Sequence, residues 1–250
     1  MTWLDGIMLG LIQGLTEFIP VSSSGHLIVA REYLGIVGSD ALSVDAVFQL
    51  ATILAVLVYF YKDLVNLLRS KTALITVIVG TIPALIFGIF LESRMDTIFR
   101  NTHLVAWALI FGSILMYLAE RFATKQGELT PKKGLIIGFF QALALVPGVS
   151  RSGATISGGL LTGLTREAAA RFSFVLSFPI ILGSGLKKLL DLYQAGEVVL
   201  ISTPLWLGSL TAFVVGLGAI HFLISYLKNH KLTVFIWYRV ILAATILVLF

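Results

Sequence analysis

The side chains that could do chemistry are concentrated in two short polar breaks of an otherwise apolar chain. The first break lies in QGLTEFIPVSSSGH and carries Glu17, three consecutive serines and His26. The second lies in VPGVSRSGATISGG and carries Arg151 among serines. A hydroxyl beside a carboxylate or an imidazole can act as an activated nucleophile, and a guanidinium suits the bidentate binding of phosphate. These residue types indicate chemistry on an anionic substrate.

The composition is that of an integral membrane protein. Of the 250 residues, 58% are hydrophobic and 12% are charged, and the mean hydropathy is +0.98. Several apolar runs approach or reach the roughly 20 residues that an α-helix needs to cross a bilayer. Only helices and closed barrels satisfy the backbone in lipid, and the alternation of barrel strands is absent, so the sequence predicts an all-α fold. The lack of cysteine excludes disulfides and thiolate chemistry, and no basic cluster is dense enough to suggest nucleic acid.

An offset of 128 residues superposes the two breaks. It produces eight identities over the twenty positions from Gly6 to Gly25, where residue frequencies would give about one or two. The same offset later pairs Gly80 with Gly208 in a stripe of small residues that predicts close helix packing. The sequence therefore predicts one membrane domain, residues 1–250, built from two repeats over residues 1–122 and 129–250.

Each repeat has the same order of apolar segments. In each repeat, two short segments flank the polar break. They are too short to cross a bilayer comfortably, so they predict a re-entrant helix–loop–helix. Three longer segments follow in each half, at residues 43–61, 72–91 and 103–121 and at residues 172–190, 204–226 and 232–250. Because three is odd, the second repeat must be inverted, which brings the two breaks together near the bilayer midplane. Eleven basic residues on one side against five on the other favour both termini outside.

The two breaks differ in a complementary way. The offset places Arg151 where the first repeat has Ser23, and it places Glu17 opposite Leu145. An arginine at membrane depth costs at least about 2.5 kcal/mol, so Arg151 requires a counter-charge or an anionic ligand. Glu17 could be that counter-charge. Helices that begin after each break would also direct two positive dipole ends at one centre, which predicts a phosphate or diphosphate receptor.

The candidate site residues fall into three groups. The catalytic candidates are Glu17, Ser23, His26 and Arg151. The candidates for phosphate binding are Ser22, Ser24, Gly25, Ser150, Ser152 and Gly153. The supporting candidates are Gln13, Asp45, Gln49 and Gln141. Most have a structural alternative: the serines as helix caps and the histidine as an inert interior residue. Asp45 and Gln49 could brace the cavity instead of lining it, and Gln141 could satisfy the backbone at its break.

The two breaks resemble the signature motifs of the bacterial undecaprenyl-diphosphate phosphatase family, also called the bacitracin-resistance protein family. The resemblance extends over essentially the whole chain and includes VFQLATILAV after the first short pair. It implies hydrolysis of undecaprenyl diphosphate to the monophosphate, which recycles the carrier lipid for cell-wall synthesis. It further implies a multi-pass protein of the bacterial inner membrane whose active site faces the periplasm.

The resemblance also implies a divalent cation, Mg²⁺ or Ca²⁺, with Glu17 as the candidate ligand. Gln13 stands where many members of the family carry a glutamate, which leaves Glu17 as the one carboxylate of that motif. The expected partners are the polyprenyl diphosphate lipid and the bilayer, and a homodimer stays open.

Two mechanisms and two functions stay open at this point. Ser23 could attack phosphorus while Glu17 or His26 accepts its proton, or Glu17 with Mg²⁺ could activate a water. Without the resemblance, a polyprenyl-phosphate flippase or a secondary transporter of an anionic substrate would rank equally, because inverted repeats and broken helices are the architecture of alternating access. A hydrolase additionally needs a nucleophile and a proton acceptor, which this sequence supplies.

Overall fold

The computed structural model describes residues 1–36, 39–98, 101–124, 127–194 and 202–249. Over these residues the chain forms helices and no strand, which confirms the predicted all-α class. The helices are α1 (Trp3–Phe18), α2 (Ser23–Leu34), α3 (Ser39–Tyr59), α4 (Tyr61–Arg69), α5 (Lys71–Ile98), α6 (Thr102–Phe122), α7 (Pro131–Leu143), α8 (Arg151–Leu161), α9 (Arg166–Gln194), α10 (Thr203–Asn229) and α11 (Thr233–Leu249).

The long helices confirm a multi-pass membrane protein. Within the described ranges, α5, α6, α9 and α10 are each long and apolar enough to cross a bilayer, and α3 joined to α4 makes a fifth candidate with a 73° bend. Helix α11 is apolar but has 17 residues. Helices α1, α2, α7 and α8 have 16, 12, 13 and 11 residues, and at 1.5 Å per residue each is shorter than the roughly 30 Å hydrocarbon core.

Several helix boundaries differ from the sequence-based expectation, and α5, predicted over residues 72–91, continues to Ile98. The segment predicted over residues 43–61 bends at Phe60 and continues as α4, whose polar side chains include Lys62 and Asp63. Such residues cannot extend an apolar span, so the chain changes direction where they begin. Helix α9 begins at Arg166, six residues earlier than predicted, because Thr165 caps it by accepting a hydrogen bond from the Ala168 amide at 3.2 Å.

Glycines allow very close helix–helix contacts at two places, between α1 and α10 and between α7 and α5. A Cβ atom added to Gly10 of α1 would lie 2.2 Å from the carbonyl oxygen of Gly208 in α10. A Cβ atom added to Gly138 of α7 would lie 2.3 Å from the carbonyl oxygen of Gly80 in α5. Only glycine permits these approaches, so the predicted role of the small residues in helix packing is confirmed.

An aromatic core fixes the end of α1. Phe18 packs edge-on against Phe174 of α9 at 5.4 Å between ring centroids, and Phe60 packs against the other side of Phe174 at 5.9 Å. All three side chains are fully buried. Since Glu17 directly precedes Phe18, this packing fixes the position from which its carboxylate extends.

Candidate active site

The two polar breaks have the same backbone conformation. Ser22 has φ of 77° and Ser150 has φ of 73°, and in the described part of the chain no other residue except glycine has a positive φ. A non-glycine residue in such a conformation costs on the order of 1–3 kcal/mol, and such strain is concentrated at functional sites. Each serine caps the helix that follows, accepting from the Gly25 amide at 3.4 Å and from the Gly153 amide at 3.2 Å. The two N-termini of α2 and α8 are therefore built alike.

The caps make Ser23 and Arg151 the first residues of their helices, and both side chains reach Glu17. The Glu17 carboxylate accepts a hydrogen bond from Ser23 Oγ at 2.9 Å on Oε2 and one from Arg151 Nη2 at 2.9 Å on Oε1. Gln13, one turn earlier in α1, donates its Nε2 to Oε2 at 3.0 Å. The structure thus brings together three of the four catalytic candidates and one supporting glutamine.

Arg151 also contacts α9. Its Nη1 lies 3.5 Å from the carbonyl oxygen of Ser173, a long hydrogen bond. The hydroxyl of Thr155, one turn along α8, lies 2.6 Å from the hydroxyl of Ser173, and either of the two can be the donor of this hydrogen bond. Nη2 of the guanidinium is therefore firmly paired, whereas Nη1 is held only weakly and can exchange its carbonyl partner for an incoming anion.

A cavity of about 280 Å³ lies over this contact. Eight predicted site residues form most of the polar part of its wall: Glu17, Ser22, Ser23, Ser24, Gln49, Gln141, Ser150 and Arg151. Thr16 and Ser184 also line it and were not predicted. Gly25, Ser152 and Gly153 do not line it; they lie in the caps behind the wall, where the Ser152 hydroxyl pairs with Ser150 Oγ at 3.2 Å. The remaining wall is largely apolar and includes Ala84 of α5 and Ile180 and Ile181 of α9. The cavity therefore joins a charged end to an apolar end.

His26 does not line the cavity. Its Nδ1 lies 2.7 Å from the carbonyl oxygen of Ser22, and its Nε2 lies 2.7 Å from the hydroxyl of Tyr238. A carbonyl oxygen can only accept, so Nδ1 carries the proton and Nε2 of the neutral ring accepts from the tyrosine. Both nitrogens are thus occupied away from Ser23, which leaves Glu17 as the group positioned to accept the serine proton.

Asp45 also lies outside the cavity, although Gln49 one turn later lines it. The Asp45 carboxylate forms an ion pair with Arg31 of α2, and the guanidinium is buried. This pair joins α2 to α3 and matches the bracing alternative rather than a direct part in the site.

Comparison with known proteins identifies the family. Residues 6–245 match the sequence model of the family described as bacitracin resistance protein BacA. The chain belongs to the BacA family. It is 43% identical over 269 residues to the undecaprenyl-diphosphatase of Mycolicibacterium smegmatis, covering 100% of this chain and 97% of that protein. It is 42% identical over 262 residues to the undecaprenyl-diphosphatase of Moorella thermoacetica, covering 100% of this chain and 98% of that protein.

Arg239 of α11 is a buried polar residue of this BacA-family chain that was not among the predicted site residues. Its guanidinium is fully buried and donates to five acceptors between 3.0 and 3.3 Å: the carbonyl oxygens of Pro20, Leu109, Gly148 and Val149, and the hydroxyl of Ser113. Pro20 and Gly148 belong to the two breaks and are related by the 128-residue offset. The rule applied to Arg151, that a lone arginine in an apolar run needs a reason, would also have identified Arg239.

The donor atoms in the cavity are compatible with a hard cation. Among the described residues no group of three or more His, Cys, Asp or Glu side chains could hold a metal by itself. Two amide side chains nevertheless have buried polar atoms without a hydrogen-bond partner. Gln13, which lies behind the cavity wall and donates to Glu17, has an unpaired Oε1, and Gln141, which lines the cavity together with Glu17, has both polar atoms unpaired. A carboxylate with amide oxygens suits Mg²⁺ or Ca²⁺ when phosphate oxygens supply the other ligands, and it does not suit the nitrogen and sulfur preference of zinc.

Proposed function

We propose that this BacA-family chain is an undecaprenyl-diphosphatase, which hydrolyses undecaprenyl diphosphate to undecaprenyl phosphate and inorganic phosphate and so recycles the carrier lipid for cell-wall synthesis. The observation that carries this function is the convergence of Ser23, Glu17 and Arg151 in one cavity. A nucleophile, its proton acceptor and a guanidinium for phosphate are the parts that phosphoryl transfer requires. Relatives that bear this name and are matched over 97% and 98% of their own length agree with it.

Ser23 is the nucleophile in this proposal. Its hydroxyl already donates to Glu17 Oε2 at 2.9 Å, so the carboxylate can take the proton as Oγ attacks the terminal phosphorus. The bond from that phosphorus to the bridging oxygen breaks, Glu17 gives the proton to the departing undecaprenyl phosphate, and a phosphoserine remains. Water then attacks the phosphoserine and Glu17 accepts its proton. Glu17 returns this proton to Ser23 Oγ as the bond from phosphorus to Oγ breaks, and inorganic phosphate is released.

Arg151 binds the diphosphate. Glu17 holds the guanidinium through Nη2, and the weakly held Nη1 presents its N–H groups to phosphate oxygens. The N-terminal ends of α2 and α8 reach the same cavity through Ser22–Ser24 and through Ser150 with Arg151. Two positive dipole ends and a guanidinium stabilise the negative charge on the transferring phosphoryl group without moving during the reaction.

The apolar wall receives the lipid. A cavity of about 280 Å³ is at the lower end of ligand sites, so it holds the diphosphate and the first part of the chain. The rest of the polyprenyl tail must lie in the bilayer. Ala84 and Ile180 mark the side, between α5 and α9, on which we place its exit.

A divalent cation, Mg²⁺ or Ca²⁺, would be held by Glu17 with the amide oxygens of Gln13 and Gln141. When bound, such an ion neutralises charge on the diphosphate. The protein's own part is to present oxygen ligands beside the Arg151 guanidinium.

The site lies between two inverted repeats in this proposal, over residues 1–122 and 129–250. The offset relates the α1–α10 packing at Gly10 to the α7–α5 packing at Gly138, and it relates the two serine caps. The short pairs α1–α2 and α7–α8 are then re-entrant. Together with the charge distribution, this arrangement supports both termini outside and a cavity that opens to the periplasmic face of the inner membrane.

The proposed function is tested with purified protein in detergent, where transport cannot occur. We expect phosphate release from a polyprenyl diphosphate that falls at least about 1,000-fold in Ser23→Ala. Ser209→Ala is the matched control, because the Ser209 hydroxyl donates to the Leu205 carbonyl oxygen within α10 and does not line the cavity. Lack of phosphate release by the unmodified protein would exclude the proposed activity.

A further inference from the structure

A second cavity lies between α6 and α11 and shares no lining residue with the cavity at Glu17. Its volume is about 550 Å³. Ile110 and Val240 line one end, and Arg121 and Lys231 line the other. From residue 110 to residue 121 an α-helix rises about 16 Å, so the cavity is a long groove with an apolar end and a cationic end. It is called the α6–α11 groove below.

The cationic end carries a net positive charge. Arg121 and Lys231 are both exposed, and neither makes a salt bridge within 4.0 Å with any residue in the described ranges. The Glu120 carboxylate lines the same end and lies close enough to attract Lys231, but its hydrogen bonds are made to other groups. It receives Arg166 at 2.8 Å and 2.5 Å through both carboxylate oxygens, and it also accepts from the Leu232 amide at 2.9 Å. Two cations therefore remain available to a ligand.

The open side of the groove faces the bilayer. Ile114 and Trp237 line it and are 53% and 63% exposed on helices that lie in an apolar membrane domain. Tyr117 is 59% exposed beside the cationic end. Aromatic residues with polar tips are typical of the boundary between hydrocarbon and headgroups. An occupant of this groove must therefore combine an apolar chain with a polar head at the depth of the lipid headgroups.

We propose that the α6–α11 groove binds an anionic glycerophospholipid, with its phosphate between Arg121 and Lys231 and an acyl chain along Ile110 and Ile114. Basic pockets between transmembrane helices select anionic headgroups in this way. The positive charge of the groove favours an anionic headgroup, and its apolar length accommodates an acyl chain. The inference does not depend on catalysis at Ser23, so Ser23→Ala is expected to bind the lipid as the unmodified protein does.

The test uses Trp237 as a reporter inside the groove. A variant with Trp3→Phe, Trp107→Phe and Trp206→Phe keeps Trp237 as the one tryptophan. It is placed in vesicles that contain phosphatidylglycerol or phosphatidylcholine with brominated acyl chains, which quench tryptophan on contact. We expect phosphatidylglycerol to bind roughly 5- to 30-fold more tightly, since each basic residue near the membrane surface contributes about a factor of five. Adding Arg121→Gln and Lys231→Gln should make the two lipids equal.

The matched control is Arg69→Gln with Lys71→Gln, which removes two exposed cations that do not line the groove. It should keep the preference for phosphatidylglycerol. Equal quenching by both lipids in the reporter protein would overturn the proposal, and so would a preference that survives Arg121→Gln with Lys231→Gln.

Relief of quenching by polyprenyl phosphate at a ratio where unbrominated phosphatidylglycerol has no effect would assign the groove to the polyprenyl lipid instead. Native mass spectrometry of lipid retained by the protein with all four tryptophans provides a second measurement that does not rely on the reporter.

Discussion

Arg151 and Glu17 are separated by 134 positions in the sequence, and their side chains meet at 2.9 Å. Each comes from a different polar break, and each is largely buried, with 13% and 8% of the side chain exposed. Removing one partner of a buried ion pair leaves the other charge without compensation, which costs about 3–5 kcal/mol. This contact therefore links the stability of the cavity to its chemistry, and conservative variants can separate the two.

Glu17→Gln should retain the fold and lose the reaction. The amide keeps an acceptor oxygen for Arg151 but cannot take the Ser23 proton, so we expect kcat to fall about 100- to 10,000-fold with a smaller change in KM. Thermal unfolding in detergent, compared with Glu17→Ala, provides the control. Glu17→Ala should unfold at a clearly lower temperature, whereas an equal loss of stability in both variants would assign Glu17 to structure alone.

Ser23 should carry a phosphoryl group during turnover. Rapid acid quenching of the enzyme with excess polyprenyl diphosphate, followed by mass spectrometry, should find phosphate on Ser23. Ser24→Ala, which removes the next hydroxyl of the cavity wall, should still be phosphorylated. If Ser23→Ala turns over at the normal rate, attack by an activated water replaces the phosphoserine mechanism.

The convergence of Glu17, Ser23 and Arg151 could be predicted from the sequence because the 128-residue offset by itself aligns the two breaks. The cost of a charge in lipid then predicts that Arg151 has a partner. The i, i+4 spacing of Asp45 and Gln49 could not show that only Gln49 reaches the cavity, since the partner of Asp45 is Arg31 on another helix. The same cost of a charge in lipid applies to Arg239, so the sequence indicates that Arg239 needs partners. It could not show which ones, because most of its acceptors are backbone carbonyls.

Arg239 should be essential for stability. Its removal would leave carbonyl groups of both breaks, among them those of Pro20 and Gly148, without a donor in a buried place. Each unsatisfied buried group costs about 1–3 kcal/mol, so Arg239→Met should lower the free energy of unfolding by at least about 3 kcal/mol. Arg171→Gln is the control, because that guanidinium is 41% exposed and its ion pairs contribute little. Equal melting temperatures for the two variants would contradict a role of Arg239 in holding the breaks.

The two glycine contacts should respond alike if the repeats are structurally equivalent. Gly10→Ala and Gly138→Ala each drive a methyl group into a backbone carbonyl, and we expect each to cost about 1–3 kcal/mol through overpacking. Gly183→Ala in α9 meets no atom within 4 Å and should be neutral or slightly stabilising, because alanine favours the helix. Thermal unfolding of the three variants tests this, and a large effect at only one of the first two positions would argue against equivalent packing.

The apolar side of the cavity should discriminate by chain length. Ile180→Trp places a large side chain at the exit that we assign to the polyprenyl tail, whereas the diphosphate end at Arg151 is unchanged. We therefore expect KM for undecaprenyl diphosphate to rise at least about 10-fold, and KM for a short prenyl diphosphate to stay within a factor of about two. The short substrate is unaffected because it lacks the part of the chain that would contact residue 180. Leu182→Trp, two positions along α9 and outside the cavity wall, is the control and should leave both KM values unchanged. Equal rises for the long and the short substrate would mean that Ile180 lies beside the reacting group, and the tail would then have to leave the cavity on another side.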